Sequence, residues 1–222
     1  MANRFGGNDD YQMEIKEKIN TALRIVLGVC FVLSGTMKAV NVYSFAQEIR
    51  LYIEAYMNTI LLPWTVEIAV VICAIETTIG LLALKKNFPM LVSIAFFLMM
   101  SFFVWLTGIN YFYPSLMGRI ESCGCFGELI HFSPIASFIK SAVLWMMATV
   151  LLGHYLKTGC KMSLNTFLKD NETYFLSIAG ILPALYSYIF FENMEHSLYL
   201  AGYIVLLIIV VTILIFCYVV RK

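Results

Sequence analysis

Residues 85–112 read KKNFPMLVSIAFFLMMSFFVWLTGINYF: two lysines, a short turn, a proline, then an apolar run without a charged side chain. A helix that crosses the hydrocarbon core of a bilayer takes about 20 mostly apolar residues. Lipid also requires each backbone polar group to be bonded within its own segment. This stretch therefore predicts a spanning helix over 89–112, with Pro89 in its first turn. Working outward, five more segments meet the same test: 21–40, 63–84, 134–155, 174–191 and 198–220. Pro63 is expected to open the second span, and Ser133-Pro134 to supply an N-cap and a first helical residue for the fourth. Pro183 predicts a kink in the short fifth span. The expected fold class is all-α, a polytopic membrane helical bundle.

Composition leads to the same place. Of 222 residues 61% are hydrophobic and 13% charged, against about 25% charged in a soluble domain. No fold of this size hides so much apolar surface from water, so the rest faces lipid. A soluble enzyme, a nucleic-acid binder and a disordered tail are excluded. The net charge of +1 leaves no polybasic surface to steer an anionic partner. Six cysteines are too few and too scattered for a disulfide scaffold. Because some twenty mostly polar residues precede the first apolar run and no A-x-A site follows it, that run is expected to stay as a span.

The charges orient the bundle. With both termini in the cytoplasm, the inner set is Arg4, Lys16, Lys18, Arg24, Lys85, Lys86, Lys157, Lys161, Lys169, Arg221 and Lys222, eleven of the fifteen Lys and Arg. Only Lys38, Arg50, Arg119 and Lys140 lie towards the outside, a clear positive-inside bias. The first outer loop, 41–62, carries Phe45, Ile49, Tyr52, Ile53 and Tyr56 at helical spacing. That stripe predicts an amphipathic connector in the membrane interface; a lid over an outer site is the sharper alternative.

The second outer loop holds the chemistry: Glu121-Ser122-Cys123-Gly124-Cys125-Phe126-Gly127-Glu128. Two thiols one residue apart lie on the side where disulfides form. Gly124 between them relieves a tight ring, and Gly127 permits the turn. A strained, exposed C-x-C disulfide is of the exchange-active kind. Arg119, Lys140 and the N-terminus of the fourth span favour the thiolate, with Lys140 expected to snorkel towards the loop. Two other readings stay open on the residues alone. One is a permanent structural disulfide or a pair of idle thiols. The other is metal binding by Cys123, Cys125 and His131, three ligands where closed zinc sites use four; no metal is expected.

Ionisable groups inside spans are costly and tend to be paired or functional. Lys38, at the outer end of the first span, is expected to pair with Glu67, one turn into the second. Glu76 lies nine residues beyond Glu67 and half a turn around the helix, with no obvious partner at its depth: it is either protonated or bonded across to Ser34, Thr36 or the fourth span. Cys30 and Cys73 both fall near mid-span and are candidates for a membrane thiol relay at equal depth, with Cys160 and Cys217 beyond them. Packing as small apolar residues is the plainer account. Phe102, Phe103, Trp105, Tyr111, Phe112 and Tyr113 read as an interfacial aromatic belt, with a quinone pocket as the alternative.

Several of these residues fall into a recognisable order. The first span reads Arg24-x₃-Gly28-x₂-Phe31-x₂-Ser34-Gly35-x₂-Lys38, followed by Phe45 and Tyr52; the second contains Glu76-x₃-Gly80-Leu81-Leu82; then come Cys-Gly-Cys-Phe-Gly and Lys140. Over about residues 20–155 the chain resembles the MauE/DoxX group of small bacterial membrane proteins, closest to the MauE branch. The resemblance implies a four-helix core in a bacterial inner membrane, periplasmic thioredoxin-like partners, and thiol chemistry linked in some relatives to quinone. Carried over, its motif positions are Cys123, Gly124, Cys125, Phe126 and Gly127. The last two spans have no counterpart in that core. The expected organisation is a cytoplasmic segment 1–20, a core 21–155, a cytoplasmic loop 156–173 and two added helices over 174–222.

The function expected is disulfide exchange with a thioredoxin-like or substrate protein outside the cytoplasm, with Cys123 attacking and Cys125 resolving. Quinone or the membrane thiols would carry electrons onward. The alternative is a non-catalytic membrane scaffold subunit in which the Cys-Gly-Cys turn is a staple.

Overall fold

A computed structural model describes residues 6–56, 59–85, 88–113, 133–159 and 171–219. They form seven α-helices: α1 (Gly6–Ala39), α2 (Val42–Tyr56), α3 (Thr65–Lys85), α4 (Pro89–Phe112), α5 (Pro134–Lys157), α6 (Asn171–Phe190) and α7 (His196–Val219). Six helical segments among them are long and apolar enough to cross a membrane. The chain is an all-α, multi-pass membrane protein. The loop that carries Cys123, Gly124, Cys125, Phe126, Gly127 and Arg119 lies outside the described residues, as does Cys160.

Two boundaries differ from expectation. Helix α1 starts at Gly6, well before the apolar run; its polar first turns are supported by pairs such as Lys18–Glu14 at 2.7 Å. At about 1.5 Å per residue it is longer than the hydrocarbon is thick. Pro63 sits not at the start of α3 but inside a 3₁₀ turn, Thr59–Trp64, that leads into it. The other proline boundaries hold: Pro89 occupies the first turn of α4, and Ser133 caps α5 by accepting from the Ala136 amide at 3.4 Å.

Antiparallel α1 and α3 cross closely because neither carries bulk at the contact. A Cβ on Gly80 would lie 2.8 Å from the Gly28 carbonyl oxygen and from the Val32 amide; one on Gly35 would lie 2.9 Å from the Thr77 amide and 3.0 Å from the Cys73 carbonyl oxygen. Small residues allowing backbones to meet are the membrane substitute for hydrophobic association. Helices α4 and α5 pack beside this pair: Phe31 meets Phe96 edge to face at 4.5 Å, and Trp145 Nε1 donates to Ser101 Oγ at 2.9 Å. The lower half of this interface is dry, with Leu27, Phe31, Leu81, Phe96 and Leu151 all buried.

The apolar stripe of α2 turns onto protein rather than into the interface, burying Val42, Phe45, Ala46 and Ile53. Helix α6 packs on α3, and α7 packs on α6. Lys85 and Glu172 form an ion pair between the end of α3 and the start of α6.

Candidate functional site

Lys38 and Glu76 are the centre of the site. Lys38 Nζ lies 2.7 Å from Glu76 Oε1 and 2.9 Å from Oε2, and both side chains are almost wholly buried, at 1% and 2% exposure. Ser34 Oγ donates to Glu76 Oε2 at 3.2 Å. The ammonium also faces the Phe45 ring at 5.1 Å and the Phe103 ring at 4.8 Å. Both rings offer cation–π stabilisation to a desolvated charge. One lysine thus gathers α1, α2, α3 and α4 around itself.

This corrects the expected Lys38–Glu67 pair, for two physical reasons. Side chains on a helix tilt towards its N-terminus, so Lys38 reaches back along α1 to the level of Ser34. Glu67 and Glu76 also lie on opposite faces of α3, and Glu76 shares with Cys73, Thr77 and Gly80 the face that meets α1. Glu67 is exposed. It is one of the groups near Tyr43, whose phenol is pushed up by burial first and then by Glu192, Tyr188 and Glu67.

Beside the pair lies a cavity of about 30 Å³, room for one or two waters. Cys30, Ser34, Lys38, Glu76, Lys140 and Ser141 supply its polar lining, over apolar walls of Phe31, Met100, Phe103 and Leu144. Ser141 is 1% exposed and its Oγ is buried without a hydrogen-bond partner among the described residues, as is Ser137 Oγ one turn away. Lys140 lines this cavity with a buried Nζ; the loop towards which it was expected to snorkel lies outside the described residues. Neither Lys140 nor Ser141 could be placed here from the sequence, since nothing in it says that α5 packs against α1.

The two thiols do not share a depth. Gly35 is the α1 residue that meets Cys73, and it lies five residues beyond Cys30, about 7–8 Å along the axis. Cys30 is half-buried at the polar cavity, whereas Cys73 is fully buried in the apolar cluster with Ala69 and Tyr203. In the aromatic group, Phe102, Trp105, Tyr111, Phe112 and Tyr113 face outward as a belt would, but Phe103 turns in to Lys38.

The family model of methylamine utilisation protein MauE matches residues 16–154, more than half of the chain. The chain belongs to the MauE family. Among curated proteins it is similar to Protein TlpB of Flavobacterium psychrophilum, 28% identical over 144 residues, which are 63% of this chain and 38% of that protein. The chain therefore spans little more than a third of that relative's length. No solved structure matches it.

The part matched to MauE holds every residue of the cavity, and α6 and α7 lie beyond it. Those two helices brace the site. Tyr203 donates its hydroxyl to the Thr36 carbonyl and Tyr199 to the Val40 carbonyl, both at 2.6 Å. Ser187 Oγ accepts from the Val42 amide at 3.3 Å, and Tyr43 donates to the Tyr188 carbonyl at 3.1 Å. All four bonds fall at the α1–α2 corner on either side of Lys38. Sequence reasoning missed them, because a tyrosine in an apolar span does not announce which carbonyl it meets.

Proposed function

We propose that this MauE-family protein is a membrane thiol–disulfide redox protein. Its Cys123-Gly124-Cys125-Phe126-Gly127 loop would exchange disulfides with a thioredoxin-like or substrate protein on the periplasmic side of a bacterial inner membrane. Family membership and the likeness to TlpB support a redox-related membrane role. The observation that carries the reading is the polar site built into the membrane against the two helices that the loop joins. Loop 114–132 connects α4 to α5, and these helices contribute Phe103 and Lys140 to the Lys38–Glu76 cavity. A structural staple alone gives no reason to maintain there a buried ion pair and a Ser141 hydroxyl without a partner among the described residues.

In this reading the Cys123 thiolate attacks a partner disulfide, forming a mixed disulfide and releasing one partner thiolate, which takes up a proton. Cys125 then loses its proton and displaces the second partner sulfur. The loop ends as a disulfide and the partner as a dithiol; the reverse steps oxidise the partner. Arg119 and the N-terminus of α5 favour the thiolate. Quinone or further thiols would reset the loop.

Trapping tests this. Cys125→Ser leaves the mixed disulfide unresolved, so a partner adduct that reductant releases should accumulate on non-reducing gels, while Cys123→Ser yields none. A folded, membrane-inserted protein that forms no adduct with either single variant would contradict the exchange reading and favour a scaffold.

A further inference from the structure

At the opposite end of the bundle from Lys38, α1 and α5 leave an open groove of about 430 Å³. Its mouth is basic: the cations Lys16 on α1 and Lys157 on α5, with Asn20 and the His154 imidazole between them. No acidic residue among the described residues lines it. Lys16, His154 and Lys157 make no ion pair among the described residues, whereas neighbouring Lys18 is neutralised by Glu14 at 2.7 Å. Asn20 Nδ2 already donates to the Lys16 carbonyl at 2.7 Å, which fixes the side chain at the groove wall.

The floor is of the other kind. Ile19 and Val150 line the groove and are half-exposed or more, at 51% and 56%. Helical spacing continues both faces towards the membrane centre. On α1 Ile19 is followed seven residues later by Val26, and on α5 Val150 is preceded by Met146 and Val143, all exposed. Gly153 opens the wall between them, since a Cβ there would meet nothing within 4 Å. A cationic mouth over two apolar tracks is complementary to one molecule type, a phosphate headgroup on acyl chains.

Depth agrees. The apolar run of α1 begins a turn after Lys16, and His154 and Lys157 occupy the last turn of α5. The mouth therefore stands at headgroup level, where each basic side chain adds attraction to anionic lipid and basic pockets between helices take such headgroups. We propose that the α1–α5 groove is a specific site for an anionic phospholipid. Lys16, His154 and Lys157 hold its phosphate, and Ile19 and Val150 take the start of its acyl chains. This site is separate from the Lys38–Glu76 cavity and does not depend on the redox reading.

Native mass spectrometry of the full chain in detergent, titrated with phosphatidylglycerol, tests it. Saturable binding is expected, with Lys16→Gln/Lys157→Gln weakening it about 30-fold, from the loss of two interfacial cations. Lys18→Gln should leave it unchanged. All three lysines are solvent-exposed, so the variants should fold, and circular dichroism checks that they do. Phosphatidylcholine binding as tightly as phosphatidylglycerol would overturn the proposal, since the apolar tracks alone would then suffice. So would full retention in the double variant, or inorganic phosphate occupying the same lysines as strongly as the lipid.

Discussion

At the residue scale the central fact is a lysine and a glutamate buried together inside a membrane protein. Taking two charges out of water costs several kcal/mol per ion, and their attraction repays this only when geometry and further bonds are good. Here both carboxylate oxygens meet Nζ, Ser34 adds a bond, and two rings face the cation. Removing one partner leaves the other charge stranded. Glu76→Gln or Lys38→Met should therefore destabilise the protein by about 3–5 kcal/mol, measured by unfolding in detergent. Lys38→Met/Glu76→Leu removes both charges at similar volume and should regain most of that loss. If the regained fold also regains disulfide exchange, the pair is architectural; a stable protein without exchange makes it part of the site. A double variant no more stable than either single one would contradict the pairing.

At the scale of elements, the spans were the legible part of the sequence. Length, apolar content and prolines at helix starts predict six of them, because lipid leaves a backbone few alternatives. Helix ends exposed to water were less legible. The N-terminal extension of α1 over Gly6–Asn20 is too polar to read as part of a span, and the 3₁₀ turn at Thr59–Trp64 moved Pro63 off the boundary it was expected to mark. Pairing between helices was least legible, since lipid-exposed and buried faces are alike apolar. Glycines are the exception. Gly28, Gly35 and Gly80 stood out in the sequence, and they are where α1 and α3 meet. Gly80→Leu should force that crossing apart, because its Cβ already falls 2.8 Å from backbone atoms of α1 that cannot swing away. Since Glu76 sits one turn from Gly80, the expected outcome is a lower Tm and loss of the Lys38–Glu76 bond. Disulfide cross-linking of paired cysteines placed at the α1–α3 contact reads the separation. A variant with wild-type Tm and cross-linking would mean that the crossing is looser than described.

For the whole molecule, the bundle separates three environments along its axis. One end carries the ion pair and cavity, braced by α2 and by the tyrosines of α7; the middle is a dry apolar core; the far end has the cationic groove between α1 and α5. The Cys-Gly-Cys motif is conspicuous in the sequence, two thiols and a glycine in a short loop against an apolar background, and it lies outside the described residues. The cavity was not legible in the sequence, since Cys30, Ser34, Glu76, Lys140 and Ser141 are scattered over three helices and only packing assembles them. Its correction of the Lys38 partner follows from side-chain direction, which a one-dimensional count of depth does not include. The account as a whole turns on whether the loop thiols cycle. The redox midpoint of Cys123–Cys125, measured in purified protein by alkylation and mass spectrometry across a glutathione series, tests this most directly. A reversible midpoint within roughly −120 to −270 mV, the range of exchange-active thiol proteins, is the predicted result. A pair held oxidised below about −300 mV, or thiols that never join, would contradict it.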